Sequence, residues 1–188
     1  MIRSFLAIEL PKTILKRIEE VQEDLRLSRA DVRWVSPGKI HLSLKFFGNI
    51  DESKIESIVQ AIERPVSVTP PFSLKVRGLG AFPYPKNPRV IWMGLAEGRE
   101  DLTSFQRQVE EELEKIGFER ENRPFQPHLT LGRSNSSRGR DELIGMMEKY
   151  REGEFGEVPV EKVVLFKSDL RPSGPIYTAL RELKLGGQ

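Results

Sequence analysis

Histidine occurs at only two positions in the 188 residues, and both lie in the same four-residue pattern. His41 opens the motif His-Leu-Ser-Leu, and His128 opens His-Leu-Thr-Leu. Alternate residues of a strand share a face, so each histidine shares a face with a hydroxyl, Ser43 or Thr130, opposite the leucines. A second histidine would fall in this pattern by chance roughly once in a thousand, with Leu and Ser/Thr each near a tenth of residues. The motifs therefore predict one shared site.

Two histidines in one site suit general acid–base chemistry, because imidazole titrates near neutral pH. One can take a proton from an attacking oxygen while the other protonates the leaving oxygen, as cleavage of a phosphodiester requires. The phosphate oxygens then need donors or cations, and Ser43, Thr130 and Arg133 are the candidates. A metal site is the alternative use of two histidines. Because Cys is absent and no nearby carboxylate repeats with the motif, the pattern favours catalysis without a metal ion or other cofactor.

The composition is typical of a globular protein, with 38% hydrophobic and 31% charged residues and a net charge of +2. There is no apolar run long enough to span a bilayer, and no secretory pattern follows Met1. These features predict a cytoplasmic protein with no membrane partner. The absence of Cys excludes disulfides and thiolate chemistry. The small positive charge permits a polyanionic partner without requiring one.

The elements that must position the two motifs follow the same order in both halves of the chain. Periodicity predicts a strand, a helix, the histidine strand, a helix ended by Pro65, and a strand. The predicted bounds are residues 3–10, 11–27, 39–47, 51–64 and 72–79 in the first half. In the second half they are residues 89–95, 102–116, 128–131, 141–150 and 158–169, followed by a strand over 176–185.

This order predicts a single bilobal domain over residues 1–188, built from approximate repeats 1–80 and 88–170, with a C-terminal strand over 175–185 completing a sheet. A pseudo-dyad between the lobes would bring the two histidine strands together across a cleft. Residues 78–88, rich in Gly, Pro and aromatics, are the predicted loop between lobes. Gly78 and Gly80 could serve turn geometry or cradle a phosphate. Trp34 and Trp92 are interpreted as core residues.

The motifs and their flanks resemble the 2H phosphoesterase superfamily, most closely its RNA 2′,3′-cyclic phosphodiesterase branch, also called 2′-5′ RNA ligases. The resemblance covers nearly the whole chain. It rests on R-S-F-L-A-I near the start, W-V-S-P-G-K-I-H-L-S-L-K-F-F-G from Trp34, P-R-V-I-W from Pro88, F-Q-P-H-L-T-L-G-R from Phe125 and F-K-S-D-L-R-P-S-G-P-I-Y from Phe166. It implies an α+β fold of two pseudo-symmetric lobes, each an antiparallel sheet with outer helices, and a metal-independent active site between them.

The resemblance also implies a role for each matching residue. His41 and His128 would be the acid–base pair, with Ser43 and Thr130 on the phosphate. Ser43 stands where Thr is commoner in the family, and the hydroxyl is retained. Arg133 matches an arginine that follows the second motif.

Three further residues are candidate nucleobase or RNA contacts. Phe46 matches a base-stacking aromatic, although strict alternation assigns it to the core face with Leu42 and Leu44 unless a bulge turns it. Arg138 and Arg140 lie in a basic loop, where they either contact RNA or only solvate the loop.

Three functions remain open on the sequence. The first is metal-independent hydrolysis of RNA 2′,3′-cyclic phosphate ends to 2′-phosphomonoesters, with tRNA or oligonucleotides as the RNA partner and a monomeric enzyme. The second is a 2′-5′ RNA ligase that uses the same site in reverse. The third is a non-catalytic RNA- or nucleotide-binding module. The resemblance suggests His41 as the acid on the 3′ oxygen and His128 as the base on water.

Overall fold

The computed structural model describes residues 1–186, which form nine strands, four α-helices and one short 3₁₀ helix at Pro37–Lys39. The strands are β1 (Ile2–Ile8), β2 (Val32–Trp34), β3 (Leu42–Ile50), β4 (Phe72–Tyr84), β5 (Asn87–Leu95), β6 (Leu129–Ser134), β7 (Glu154–Val160), β8 (Lys162–Asp169) and β9 (Ile176–Lys184). The helices are α1 (Lys12–Arg26), α2 (Lys54–Val68), α3 (Arg99–Lys115) and α4 (Arg140–Glu148).

The strands form two antiparallel sheets. One has four strands in the order β3-β1-β8-β9, and the other has five in the order β2-β6-β5-β4-β7. In each sheet the strand that follows a histidine lies next to a central strand, β1 or β5. The strand β9 completes the edge of the four-stranded sheet. The predicted α+β fold with two antiparallel sheets is confirmed.

The two halves of the chain exchange elements. The fourth strand of the first half, β4, pairs with β5 in the five-stranded sheet, and β8 returns to pair with β1. Helix α1 contacts α4 and β7 of the five-stranded sheet, whereas α2 contacts α3 and β9. Sheet membership therefore crosses the boundary between residues 1–80 and 88–170, and neither sheet is built from one half alone.

The leucines of both histidine motifs are buried in the core, as the alternation predicts. Leu42 and Leu44 are 1% and 3% exposed, and Leu129 and Leu131 are 0% exposed. They belong to one buried cluster that draws on both sheets and on the apolar faces of all four helices. Burial of these leucines aims the opposite face of each strand away from the core.

Three predicted boundaries were wrong. Pro65 lies inside α2, which continues to Val68; Pro65 and Val66 are buried, and this packing outweighs the hydrogen bond that a proline cannot donate. Residues 78–88 are mostly a β-hairpin, because β4 continues to Tyr84 and pairs with β5. The single strand predicted over residues 158–169 is two strands, which separate at Glu161 and join different sheets.

The two glycines of the hairpin serve the backbone and ring packing. Gly80 lies against the Trp92 ring, and a Cβ there would collide with that ring. Gly78 has a φ of +79° at an irregularity between Val76 and Leu79. Neither lines the cleft described below, so the turn-geometry interpretation fits better than a phosphate cradle.

Trp34 and Trp92 are only partly buried. Trp34 packs against the core and also lines the cleft that contains both histidines. Within residues 1–186, no helix combines the length and apolarity that a membrane span would need.

Candidate active site

A cleft of about 1560 Å³ is lined by residues of both sheets. Both histidines, both motif hydroxyls, Arg133 and Phe46 lie on its wall. The fold therefore brings together the six residues that the sequence assigned to catalysis, phosphate binding and base stacking. The histidines themselves sit one residue before β3 and β6, where the chain enters each strand.

The two imidazoles are held in the same way. His41 Nδ1 lies 3.1 Å from the carbonyl oxygen of Lys39, and His128 Nδ1 lies 2.6 Å from that of Gln126. A carbonyl can only accept, so Nδ1 of each ring must donate the hydrogen. This leaves Nε2 as the titrating nitrogen, which is a base when the ring is neutral and an acid when it is protonated. Both histidines are thus fixed in the tautomer that acid–base catalysis uses.

His41 lies among aromatic rings. Its ring stacks on Phe5 at a centroid distance of 4.6 Å and meets the edge of Tyr177 at 5.2 Å, with Phe166 at 6.4 Å. Burial among these rings disfavours the charged imidazolium and lowers the pKa of His41 from 6.5 to about 4, a shift that the hydrogen bond to Lys39 opposes. His41 is therefore neutral at pH 7.

His128 is in a more polar environment. Phe82 meets its ring edge-on at 5.0 Å. Burial is the main cause that lowers the pKa of His128, the hydrogen bond to Gln126 opposes it, and the nearby Arg133 charge lowers the pKa further. The charge of Arg133 is thus felt at His128, and both residues line the same cleft.

Each histidine strand carries a β-bulge at the fourth residue of its motif. In β3, Ser43 pairs with Ala7 and Lys45 with Leu6, so Leu44 is the extra residue. In β6, Thr130 pairs with Trp92 and Gly132 with Ile91, so Leu131 is the extra residue. An extra residue reverses the alternation beyond it. The bulges occupy equivalent positions in the two motifs.

These bulges decide which side chains reach the cleft. Beyond Leu131, Arg133 lies on the same face as Thr130, although strict alternation would have turned it inward. Beyond Leu44, Phe46 lies opposite Phe5 on the face of Ser43, and it is 54% exposed. The alternative that Phe46 is a core residue is therefore wrong. Lys45 turns inward instead and is 4% exposed.

The cleft is also lined by cations that the sequence analysis did not single out. They are Arg33, Lys39, Arg89, Arg107, Arg120, Arg123 and Arg171. Arg33 pairs directly with Arg133 across β2 and β6. Within residues 1–186 neither of these two arginines has a carboxylate within 4 Å. Like charges directly opposite each other repel, and an anion bound between them would relieve that repulsion. Arg33 was missed because the partner of β2 cannot be read from the sequence.

Arg138 and Arg140 do not line the cleft. They lie in a neighbouring pocket of about 400 Å³, together with Ser134, Asn135 and Asn87. Arg140 donates a hydrogen bond to Asn87 Oδ1 at 3.2 Å, while Arg138 is exposed. Arg89 lines both the cleft and this pocket, so a path of positive charge connects the two.

The described residues, 1–186, contain no group of three or more His, Cys, Asp or Glu side chains close enough to hold a metal ion. The donor set in the cleft is instead two imidazoles, two hydroxyls and several guanidinium groups. This combination matches an anionic substrate better than a cation.

The chain is similar to known proteins over its whole length. Residues 10–172 match the 2′-5′ RNA ligase superfamily. The chain is 36% identical over 184 residues to an RNA 2′,3′-cyclic phosphodiesterase of Methanothermobacter thermautotrophicus, covering 98% of this chain and 99% of the relative. It is 35% identical over 188 residues to an RNA 2′,3′-cyclic phosphodiesterase of Aquifex aeolicus, covering 100% and 99% of the two chains. The crystal structure of TT0787 of Thermus thermophilus superposes with a TM-score of 0.79 at 29% identity, covering 99% of each chain.

Proposed function

Because the chain belongs to the 2′-5′ RNA ligase superfamily, we propose that it hydrolyses 2′,3′-cyclic phosphate ends of RNA to 2′-phosphomonoesters by two-histidine acid–base catalysis without a metal ion. The observation that carries this proposal is the matched pair of imidazoles. Each donates from Nδ1 to a backbone carbonyl two residues upstream, and both line one cleft. A module that only binds nucleotides would not need two imidazoles fixed in the same tautomer.

In the proposed reaction, a water molecule attacks phosphorus and the ring opens. One histidine takes the water proton at Nε2 while the bond from water oxygen to phosphorus forms. The other donates its Nε2 proton to the leaving 3′ oxygen as the bond from phosphorus to that oxygen breaks. The net result is addition of water to the cyclic phosphate, with one proton relocated between the histidines.

We assign His41 as the acid and His128 as the base. This assignment follows the family resemblance, and to act as the acid His41 must gain a proton that its aromatic surroundings disfavour at pH 7. The negative charge of the bound phosphate raises the pKa of either histidine, so the proton enters with the substrate. Exchange of the two roles would leave the net reaction unchanged.

The remaining cleft residues would stabilise the phosphate and the terminal nucleoside. Ser43 and Thr130 can each donate one hydrogen bond to an equatorial oxygen, and Arg133 with Arg33 supplies positive charge. Phe46, exposed on the same face as Ser43, offers a platform for the terminal base. The path from Arg89 to Arg138 and Arg140 would follow the RNA backbone away from the reacting end.

A 2′-5′ RNA ligase activity is the second candidate, and the size of the cleft favours it. Small-molecule sites have volumes of about 300–1,000 Å³, and this cleft of about 1560 Å³ leaves space for a second strand. A 5′-hydroxyl placed where water attacks would form a 2′-5′ bond by the reverse reaction. We further propose that the enzyme is a monomer, since the whole site comes from one chain. We also propose that it acts in the cytoplasm on tRNA-derived or oligonucleotide ends.

Product identity tests the proposal. The purified chain is incubated in EDTA with adenosine 2′,3′-cyclic phosphate, and the product is compared with both monophosphates by phosphorus NMR. We expect adenosine 2′-phosphate. The 3′-phosphate would overturn the orientation between the histidines, and no product would overturn hydrolysis. Including an RNA with a 5′-hydroxyl in a parallel reaction tests for joining, and the His41→Ala variant controls for contaminating nucleases.

A further inference from the structure

Two buried glutamines contact the β-bulges of the two histidine strands. Gln22 lies in α1 and is 1% exposed; Gln106 lies in α3 and is 7% exposed. Gln22 Nε2 donates to the carbonyl of Leu131 at 2.9 Å, and Gln106 Nε2 donates to that of Leu44 at 3.3 Å. Leu131 and Leu44 are the extra residues of the two bulges. Each glutamine thus bonds the residue that reverses the alternation of its strand.

The second amide hydrogen of each glutamine is also used. Gln22 Nε2 donates to the carbonyl of Val35 at 2.7 Å, and the amide of Val35 in turn donates to Leu131 O at 2.9 Å. Gln106 Nε2 donates to Glu110 Oε1 at 3.3 Å. A primary amide has two N–H donors, so both donors of each side chain are used. A buried polar side chain with every donor committed holds its partners in one arrangement.

The first bulge has a further support that depends on Gln106. Glu110 Oε2 accepts a hydrogen bond from Lys45 Nζ at 3.0 Å, and Lys45 also donates to the carbonyl of Glu119 at 2.6 Å. Lys45 is buried only because the bulge at Leu44 turns it inward. Without the bulge, strict alternation would place Lys45 on the face of Ser43 and Phe46 on the face of Leu42 and Leu44.

The contacts cross between the halves of the chain. Gln22 follows the first central strand yet holds the second motif, and Gln106 follows the second central strand yet holds the first motif. We propose that Gln22 and Gln106 are positioning residues of the active site, each holding the bulge that turns one substrate-binding side chain to the cleft. Gln22 positions Arg133, and Gln106 positions Phe46. The inference rests on the proposed function only for its kinetic test.

Double-mutant cycles test the pairing. Gln22→Met keeps the length of the side chain and removes both donors. We expect kcat/KM for a 2′,3′-cyclic phosphate to fall by about 10- to 100-fold, the scale for a misplaced catalytic group. In an Arg133→Ala background the same change should cost less than about threefold, because the group that Gln22 positions is gone. Gln22→Met combined with Phe46→Ala should instead multiply the two single effects. For Gln106→Met we expect the reverse. The change should cost less than about threefold in a Phe46→Ala background, and its effect should multiply with that of Arg133→Ala.

Gln108→Met is the matched control, since Gln108 is partly exposed on the same helix as Gln106 and lies outside the cleft. We expect wild-type kinetics from it. Multiplicative effects in all four cycles would reduce the glutamines to general stabilisers of the fold and overturn the proposal.

Hydrogen exchange separates this inference from the proposed function. In Gln22→Met, the amides of residues 129–134 should exchange faster while those of residues 42–47 stay protected, and Gln106→Met should show the opposite. This readout needs no activity. Unchanged exchange in both segments would refute the positioning role even if the enzyme hydrolyses cyclic phosphates. The predicted exchange pattern in an inactive protein would leave the positioning intact and refute only the function.

Discussion

The depressed pKa of His41 predicts a measurable dependence of stability on pH. The unfolded value is 6.5 and the folded value is about 4. Between these values the unfolded chain binds a proton at His41 and the folded chain does not, so the free energy of unfolding falls as the pH drops. Each pKa unit corresponds to about 1.36 kcal/mol, so the loss between pH 7.5 and pH 4 approaches about 3 kcal/mol. The contribution of neutral His41 to the free energy of unfolding is fully present above pH 6.5.

Urea unfolding of the wild type and of His41→Gln at both pH values measures this contribution. Glutamine is polar but does not titrate, so the variant should lose about 3 kcal/mol less than the wild type over the same range. Comparing the pH differences cancels other titrating groups and any pH-independent cost of the substitution. His128→Gln is measured alongside as the control. Burial is also the main cause that lowers the pKa of His128, but that ring lacks the aromatic enclosure of His41. Parallel pH dependence of wild type and His41→Gln would refute the desolvation of His41.

Substitutions at five further positions test other parts of the site. In steady-state kinetics, Arg133→Ala should lower kcat/KM by about 10²-fold or more, and Arg133→Lys should restore only part of the loss because Lys lacks the planar fork. Ser43→Ala and Thr130→Ala should each lower kcat/KM less, by about tenfold. Full activity of Arg133→Ala would remove Arg133 from the phosphate site. Phe46→Ala should raise KM for an RNA end by about tenfold with little change in kcat, since stacking contributes about 1–3 kcal/mol per base, and an unchanged KM would contradict a stacking role. Lys45→Met should destabilise the fold by about 3–5 kcal/mol in urea unfolding by leaving its buried carboxylate partner unpaired, and a loss below about 1 kcal/mol would show that the pair is not buried in solution.

The sequence shows the two motifs directly and predicts which of their residues are buried, because burial there depends on local alternation. His41 and His128 could be recognised as one site from the shared pattern, and their leucines as core residues. The antiparallel α+β fold was accessible through the family resemblance. The exchange of β4 and β8 between the sheets could not be predicted, because strand pairing depends on contacts far apart in the chain.

The bulges were the main feature that periodicity missed. A strictly alternating strand assigns Phe46 to the face of Leu42 and Lys45 to the face of Ser43, and the extra residue Leu44 reverses both. Nothing in the local sequence marks that residue, because its carbonyl is held by Gln106 from another element. Gln22 and Gln106 themselves occupy apolar helix faces, where a single buried glutamine gives no signal until its partners are known.

The most direct test of the two-histidine mechanism is turnover of a nucleoside 2′,3′-cyclic phosphate in EDTA by the wild type, His41→Ala and His128→Ala. The free imidazole nitrogens in one cleft predict that the wild type turns over fully in EDTA and that each substitution lowers kcat by about 10²–10⁴-fold, the scale of one general acid or base. Gln108→Met should match the wild type. Turnover that is abolished by EDTA and restored by a divalent ion, or near wild-type kcat in either histidine variant, would contradict the mechanism.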